Sequence, residues 1–211
     1  MRGRPAVAVF LKVPRLGTVK SRLARGIGWA EATRLHRALS AALIRRLARD
    51  GRWRVTLWLT PRAGLRHRDV PRLGLPRFDQ GAGDLGARMA RAFVHGRGRP
   101  IVLVGTDVPE LTAAVVAQAF RLLRSNDAVF GPATDGGYWL VGLRGRRPPF
   151  ARVRWSTPHA LADTRANLKG ARVALLDPLD DIDTPADYRR WRSRSRQGGL
   201  CRTGAACTVP P

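Results

Sequence analysis

The chain has 211 residues and 44% apolar content, close to the globular average, so a wholly disordered chain and a collagen-like chain are both excluded. Its formal net charge is +24, from 39 basic and 15 acidic residues. That suggests a polyanionic partner, but only Lys12, Lys20 and Lys169 are lysines and the arginines are scattered along the chain, so weak, salt-sensitive nucleic-acid binding is expected rather than a dedicated interface.

A chain this long can bury roughly 70% of its unfolded surface in one core. No apolar run is long enough for a membrane span. Residues 1–14 begin basic and then turn apolar, as a signal peptide does. Residues 6–11 are too short for its apolar core, however, and Lys12 ends them, so a cytoplasmic protein is expected. Cys201 and Cys207 both lie near the end and offer no disulfide framework for a core.

In chain order, residues 6–11 (AVAVFL) predict a buried strand. Residues 12–28 are punctuated by Pro14, Gly17, Gly26 and Gly28 and read as a loop. Leu35, Leu39, Ala42, Leu43 and Leu47 recur at helical spacing within 30–49, and Gly51 follows. Residues 54–59 predict a second strand and 61–76 a connection with a short helix. A short helix over 86–94 stands behind a Gly-rich turn. Residues 101–105 predict a strand buried on both faces, and 112–123 a helix capped by Thr112. Strands are expected from Ala128 and Tyr138, then a helix over 158–168 and a strand over 172–176. A last helix begins with Thr184 at the cap and Pro185 at its first position. Residues 1–192 are expected to form one domain. Residues 193–211, rich in Arg, Ser and Gly, are expected to be a disordered tail. Strands alternate with helices, which predicts an α/β fold with a mostly parallel sheet and helices on both faces. In such sheets ligands bind at the carboxyl ends of the strands.

The loop after the first strand carries Lys12, Arg15, Lys20 and Arg22 within eleven residues, with Pro14 and Gly17 among them. Cations and free backbone N–H groups are what a polyphosphate needs. The spacing is not that of a P-loop, and Gly26-Ile27-Gly28 lacks the third glycine of a dinucleotide fingerprint. Two of the three lysines fall in this loop, in a chain that otherwise uses arginine. A compact ammonium and a planar guanidinium are not equivalent at a phosphate. The alternative is a solvated basic loop.

The acids are 13 Asp and two Glu, and five of the Asp fall between Asp177 and Asp187. Asp107 ends an apolar strand, and Asp135 opens the turn Asp135-Gly136-Gly137-Tyr138. Carboxylates gathered in an acid-poor chain suggest a hard cation such as Mg2+ or Mn2+, which takes one or two of them plus phosphate oxygens. Asp107, Asp181 and Asp183 are the candidate ligands. Turn formation at Asp107 and helix capping at Asp183 are the alternatives, and Asp187 is read as a first-turn charge favoured by the helix dipole.

The ordered motifs are Phe10-x-Lys12-x-Pro14-x-x-Gly17-x-Val19-Lys20-Ser21-Arg22-Leu23, then Gln80-Gly81-x-Gly83-Asp84-Leu85-Gly86-x-Arg88-Met89, then Gly105-Thr106-Asp107-x-Pro109. Gly131-Pro132-Ala133-x-Asp135-Gly136-Gly137-Tyr138, Trp155-Ser156-Thr157 and Asp181-Ile182-Asp183-Thr184-Pro185-x-Asp187 follow. From about Phe10 to Tyr188 this resembles the bacterial DUF2064 family, the radical-SAM/selenodomain-associated transferase 1 proteins of the glycosyltransferase-A (GT-A) superfamily. The resemblance implies a nucleotide-diphospho-sugar transferase-like (GT-A) three-layer sandwich. It is related to the guanylyltransferases of deazaflavin and molybdenum-cofactor biosynthesis. It implies a nucleotide held by Lys12, Gly17, Lys20, Ser21 and Arg22, with Gln80, Gly83 and Asp84 lining base and ribose. It implies a metal on Asp107, Asp181 and Asp183. An acceptor would meet Asp135, Gly136, Gly137 and Tyr138, with Trp155 and Ser156 as further candidates. Ser21 stands where Thr is usual, and Val108 where Cys is common.

The expected function is Mg2+- or Mn2+-dependent nucleotidyl transfer from a nucleoside triphosphate to a phosphorylated small-molecule acceptor, with pyrophosphate released. Lys12, Lys20, Arg22 and Asp107 would be the catalytic residues. Glycosyl transfer from a nucleotide sugar is the alternative within the fold. A non-enzymatic nucleic-acid-binding protein and a non-catalytic nucleotide sensor are the readings outside catalysis. His36, His67, His95 and His159 share no metal-ligand spacing and are given no role. The sequence leaves the oligomeric state open.

Overall fold

The first apolar run forms β1 (Ala6–Lys12), buried or nearly so until the exposed Lys12. The computed structural model describes residues 3–96, 98–145 and 147–203. Two strands flank β1 in parallel: β2 (Arg54–Thr60) and β4 (Ile101–Val104), with Val9 opposite both Leu57 and Val104. With β3 (Arg77–Asp79), β5 (Ala128–Pro132), β6 (Tyr138–Leu143) and β7 (Val173–Leu175) they make a seven-stranded sheet of order β3-β2-β1-β4-β6-β5-β7. β6 runs antiparallel to both β4 and β5, and every other pairing is parallel.

Strand residues point alternately to the two faces, so each face takes its own helices. Val7, Val9 and Leu11 pack with Leu43, Ile44 and Leu47 of α2 (Trp29–Ala48) and with Val116 and Ala119 of α4 (Ala113–Leu122). Ala6 and Ala8 face the other way. They join Met89, Ala92 and Phe93 of α3 (Leu85–His95), and Leu168 beyond α5 (Ala160–Ala166). The result is the expected three-layer α/β sandwich. Full burial of each large aliphatic side chain contributes about 1.5–3 kcal/mol.

A third, smaller cluster matters more for function. Leu23 and Ala24 of α1 (Ser21–Ile27), Ala32 and Leu35 of α2, Ile182, and Tyr188 of α6 (Pro185–Thr203) pack together. A side chain at Gly26 would overlap Pro185, so α1 and α6 touch directly.

The structure departs from expectation in four places. Residues 21–27 are helical, although glycines and a proline made 12–28 read as a loop. The three-residue β3 extends the sheet past the 61–76 connection, which holds the short 3-10 turn Arg62–Gly64. The tight turn after β5 makes β6 antiparallel. α6 continues through the segment expected to be disordered as far as Thr203, and 204–211, with Cys207, lie outside the described residues. Among the described residues no helix is long and apolar enough to cross a membrane.

Candidate active site at the carboxyl edge of the sheet

β1 and β4 are parallel neighbours, so the loops that follow them leave the sheet at the same edge. Asp107 stands just beyond β4. Its carbonyl accepts the Ile182 N–H at 3.1 Å, and this backbone bond brings the Asp181-Ile182-Asp183 segment alongside. Lys20 reaches the same point from the first loop. Its Nζ lies 3.0 Å from Asp107 Oδ2 and 3.5 Å from Asp183 Oδ1, with its side chain 3% exposed. Arg22 Nη1 adds a contact of 3.2 Å to Asp183 Oδ2 from the solvent side. Lys20 sits at the cap of α1 with φ 53° and ψ 44°. A left-handed lysine costs on the order of 1 kcal/mol and persists only where its surroundings hold it. Here two carboxylates do.

His36 completes the cluster, and no ligand spacing in the sequence pointed to it. Its Nε2 donates to the Lys12 carbonyl at 2.8 Å, and Nδ1 faces Asp107 Oδ1 at 3.2 Å. The available signal was positional. Ala32, His36 and Ser40 recur at i, i+4 on the inward face of α2, where a polar residue needs partners.

These contacts separate the carboxyl groups electrostatically. Partial desolvation raises the Asp107 carboxyl, but His36 and Lys20 outweigh it and bring the pKa down to about 2. Asp181 goes the other way, to about 6. Desolvation is the largest cause; Lys20 lowers it, and the neighbouring charges of Asp183, Asp135 and Asp107 raise it further.

The acceptor candidates form a second group. Asp135 Oδ1 accepts the Gly137 N–H at 2.9 Å and closes the turn. Gly136 has φ +85°, and a Cβ there would overlap the Pro158 carbonyl. The turn is therefore packed on the segment that carries Trp155 and Ser156. Tyr138 meets Trp155 edge-on at 6.4 Å, and its hydroxyl lies 3.4 Å from Thr164 Oγ1. Ser156 is exposed, with φ 60°.

Gln80, Gly83 and Asp84 are engaged in the segment that leads into α3. The buried Gln80 turns its amide inward and donates to the Trp58 carbonyl at 2.9 Å. Asp84 caps α3 by accepting the Ala87 N–H at 2.8 Å, and Gly83 accepts from Arg88 Nε through its carbonyl. Gly17 and Ser21 are exposed in the first loop and at the start of α1, and Lys12 is exposed at the end of β1. Cavities of about 470 Å³ and 610 Å³ open beside the first residues of β1 and β4, and none of Lys20, Asp107, Asp181 and Asp183 lines them.

Among the described residues no three Asp, Glu, His or Cys side chains form a ready cage for a metal ion. The donor set is nonetheless suitable in type. Asp107 and Asp183 are hard oxygen donors, 40% and 36% exposed, facing one ammonium. Two carboxylates at an open edge fit a Mg2+- or Mn2+-sized cation that brings phosphate oxygens and water, not an all-protein cage.

The family described as "Uncharacterized protein conserved in bacteria (DUF2064)" matches residues 43–157, more than half of the sequence. The chain belongs to it. The matched span of this DUF2064 chain includes Asp107 and the Asp135–Tyr138 turn. Lys20 and Asp183 lie outside it. No curated protein is similar enough to count as a match. Among solved structures, the DUF2064 chain is similar to a candidate nucleotide-diphospho-sugar transferase from Desulfovibrio desulfuricans G20. The identity is 28% and the TM-score 0.78, over 86% of this chain and 83% of that one. It shares its fold with Rv0371c from Mycobacterium tuberculosis H37Rv, solved with manganese (20% identity, TM-score 0.54, 89% and 97% covered). It shares the fold also with a cytidylyltransferase from Leptospira borgpetersenii (14% identity, TM-score 0.60, 88% and 83% covered).

Proposed function

We propose that this chain is a divalent-metal-dependent transferase of the GT-A type, moving a nucleotidyl group from a nucleoside triphosphate to a phosphorylated small-molecule acceptor. The observation that carries the reading is the convergence of Lys20, Arg22, Asp107 and Asp183 where the first loop meets the end of β4. Cations and carboxylates in contact at one edge suit a metal–polyphosphate substrate, which brings both signs of charge.

In this reading an acceptor phosphate oxygen attacks the α-phosphorus. A new P–O bond forms, the bond from that phosphorus to the bridging oxygen breaks, and its electron pair leaves with pyrophosphate. Lys12, Lys20 and Arg22 neutralise charge on the triphosphate and the departing pyrophosphate. Asp107 and Asp183, with Asp181 beside them, would hold Mg2+ or Mn2+, which supplies Lewis-acid polarisation of phosphate oxygens. The manganese bound by the related fold supports a divalent cation here. The acceptor phosphate is already ionised, so no general base is required. The Asp135-Gly136-Gly137 turn, Tyr138, Trp155 and Ser156 hold the acceptor, and positioning does most of the work. Gly17, Ser21 and Gly83 meet the nucleotide directly. Gln80 and Asp84 act by holding the Gly81–Gly83 segment in place.

Glycosyl transfer from a nucleotide sugar is the second reading, favoured by the name of the Desulfovibrio protein. Product analysis separates the two. Incubation with Mg2+, a panel of nucleoside triphosphates and phosphorylated acceptors should release pyrophosphate. Release of nucleoside diphosphate from a nucleotide sugar, with no pyrophosphate from any triphosphate, would overturn nucleotidyl transfer.

A further inference from the structure

We infer that His36 is a positioning residue that decides which oxygen of Asp107 faces an incoming cation. The inference rests on the reading of Asp107 as a metal-holding carboxylate. The ring is 3% exposed on the inward face of α2 and reaches two loops. Nε2 is bound to the carbonyl of Lys12, the last residue of β1, where the basic loop begins. Nδ1 lies against Asp107 Oδ1, and Oδ2 is left turned toward Lys20 Nζ.

A carboxylate without such a partner can rotate about Cβ–Cγ and present either oxygen or both. With His36 on Oδ1 and Lys20 on Oδ2 that rotation is stopped, and Oδ2 is the oxygen a cation would meet beside the ammonium or in its place. The ring cannot turn to follow the carboxylate, because its two contacts lie at opposite ends and turning breaks both. One side chain thus fixes the spacing between the backbone of the basic loop and the acid after β4. Groups that hydrogen-bond a metal-ligating side chain in this way typically carry 10- to 100-fold in metal affinity.

The test is Mn2+ binding to the full chain, followed by the EPR signal of the free ion, with thermal melting in chelator as the folding control. His36→Phe keeps the ring volume and loses both hydrogen bonds; it should weaken Mn2+ binding by about tenfold or more while melting stays cooperative. A merely structural histidine would shift the melt and leave Mn2+ affinity in place, so a smaller loss overturns the inference and leaves the metal reading standing. Asp107→Asn serves as the separate control: if it binds Mn2+ as the unaltered chain does, the metal reading itself fails and this inference with it. Should His36→Phe not fold, His36→Gln, which retains one donor, decides: a several-fold loss supports the role and equal affinity overturns it.

Discussion

The ammonium of Lys20 lies 3.0 Å from Oδ2 of Asp107 and is almost wholly buried, so this lysine is a counterion built into the site. Breaking a fully buried pair costs about 3–5 kcal/mol, and the part-exposed aspartates reduce that here. Lys20→Met should therefore lower stability in chelator by about 1–2 kcal/mol. Added Mn2+ should stabilise the variant more than the unaltered chain, because it replaces the missing charge. Triphosphate affinity should fall by about tenfold or more, as expected for a lost charge-assisted contact. Melting curves with and without Mn2+ check the first two, and calorimetric titration the third. A variant as stable in chelator as the original would contradict this account.

Asp107→Asn keeps the shape of the side chain, and its backbone carbonyl still accepts from Ile182. Cooperative melting should survive while transferase activity falls by about a hundredfold or more. Single-turnover assays at saturating nucleotide and Mg2+ make the comparison. Near-normal turnover would remove Asp107 from the chemistry.

Gly136 and Gly17 separate two costs of adding a methyl group. Both have positive φ, but a Cβ at Gly17 meets open space, whereas one at Gly136 strikes the Pro158 carbonyl. Gly17→Ala should cost about 1 kcal/mol from backbone strain alone. Gly136→Ala should cost about 2 kcal/mol or more, a drop of roughly 4–8 °C in Tm for a chain this size. Paired melts decide it; equal costs would mean that the turn does not rest on Pro158 as described.

The backbone N–H of Arg154 and its guanidinium all donate to Asp163, at 3.0, 2.9 and 2.8 Å, just before Trp155 and Ser156. The Arg154 hydrogen bonds hold the Asp163 carboxyl well below the usual range. A carboxyl depressed in the folded state adds stability above its unfolded pKa, near 3.9, and that stability is lost as pH falls toward the folded value. Asp163→Asn should therefore be less stable than the original at pH 7, with the gap closing below about pH 4. Melts across that range test it, and a gap that stays constant would point to a cause other than ionisation.

Asp84 offers a cleaner separation of roles. As an N-cap its replacement by alanine should cost about 1 kcal/mol of stability. Nucleotide affinity at a temperature where the variant is fully folded should fall by no more than a few-fold, because Asp84 holds the Gly83 segment without touching the nucleotide. A large loss of affinity with no change in Tm would return Asp84 to direct contact with the nucleotide.

Apolar runs made β1, β2 and β4 legible in the sequence, helical spacing did the same for α2, and a Gly-rich turn and the Thr112 cap marked α3 and α4. These are elements whose pattern is local. α1 was hidden because Gly26 and Gly28 punctuate it, and what stabilises it, Leu23 and Ala24 against Ile182 and Tyr188, lies far along the chain. The antiparallel direction of β6 was not read from the sequence, although the Asp135-Gly136-Gly137 turn carries it, since a tight connection cannot join parallel neighbours. Of the site, the lysines and aspartates stood out because they broke the chain's own compositional habits. His36 did not, because its partners Lys12 and Asp107 are 24 and 71 positions away and only the fold brings them together.

The contact between Lys20 and Asp183 spans 163 positions. During synthesis the basic loop and Asp107 therefore emerge long before the carboxylate that completes their surroundings. A nascent chain stopped short of Ile182 lacks the N–H that fastens this segment to Asp107, however well its first strands have paired. In the proposed reading, ligand binding would therefore require a chain made past Asp183, the partner that Lys20 meets 163 positions on.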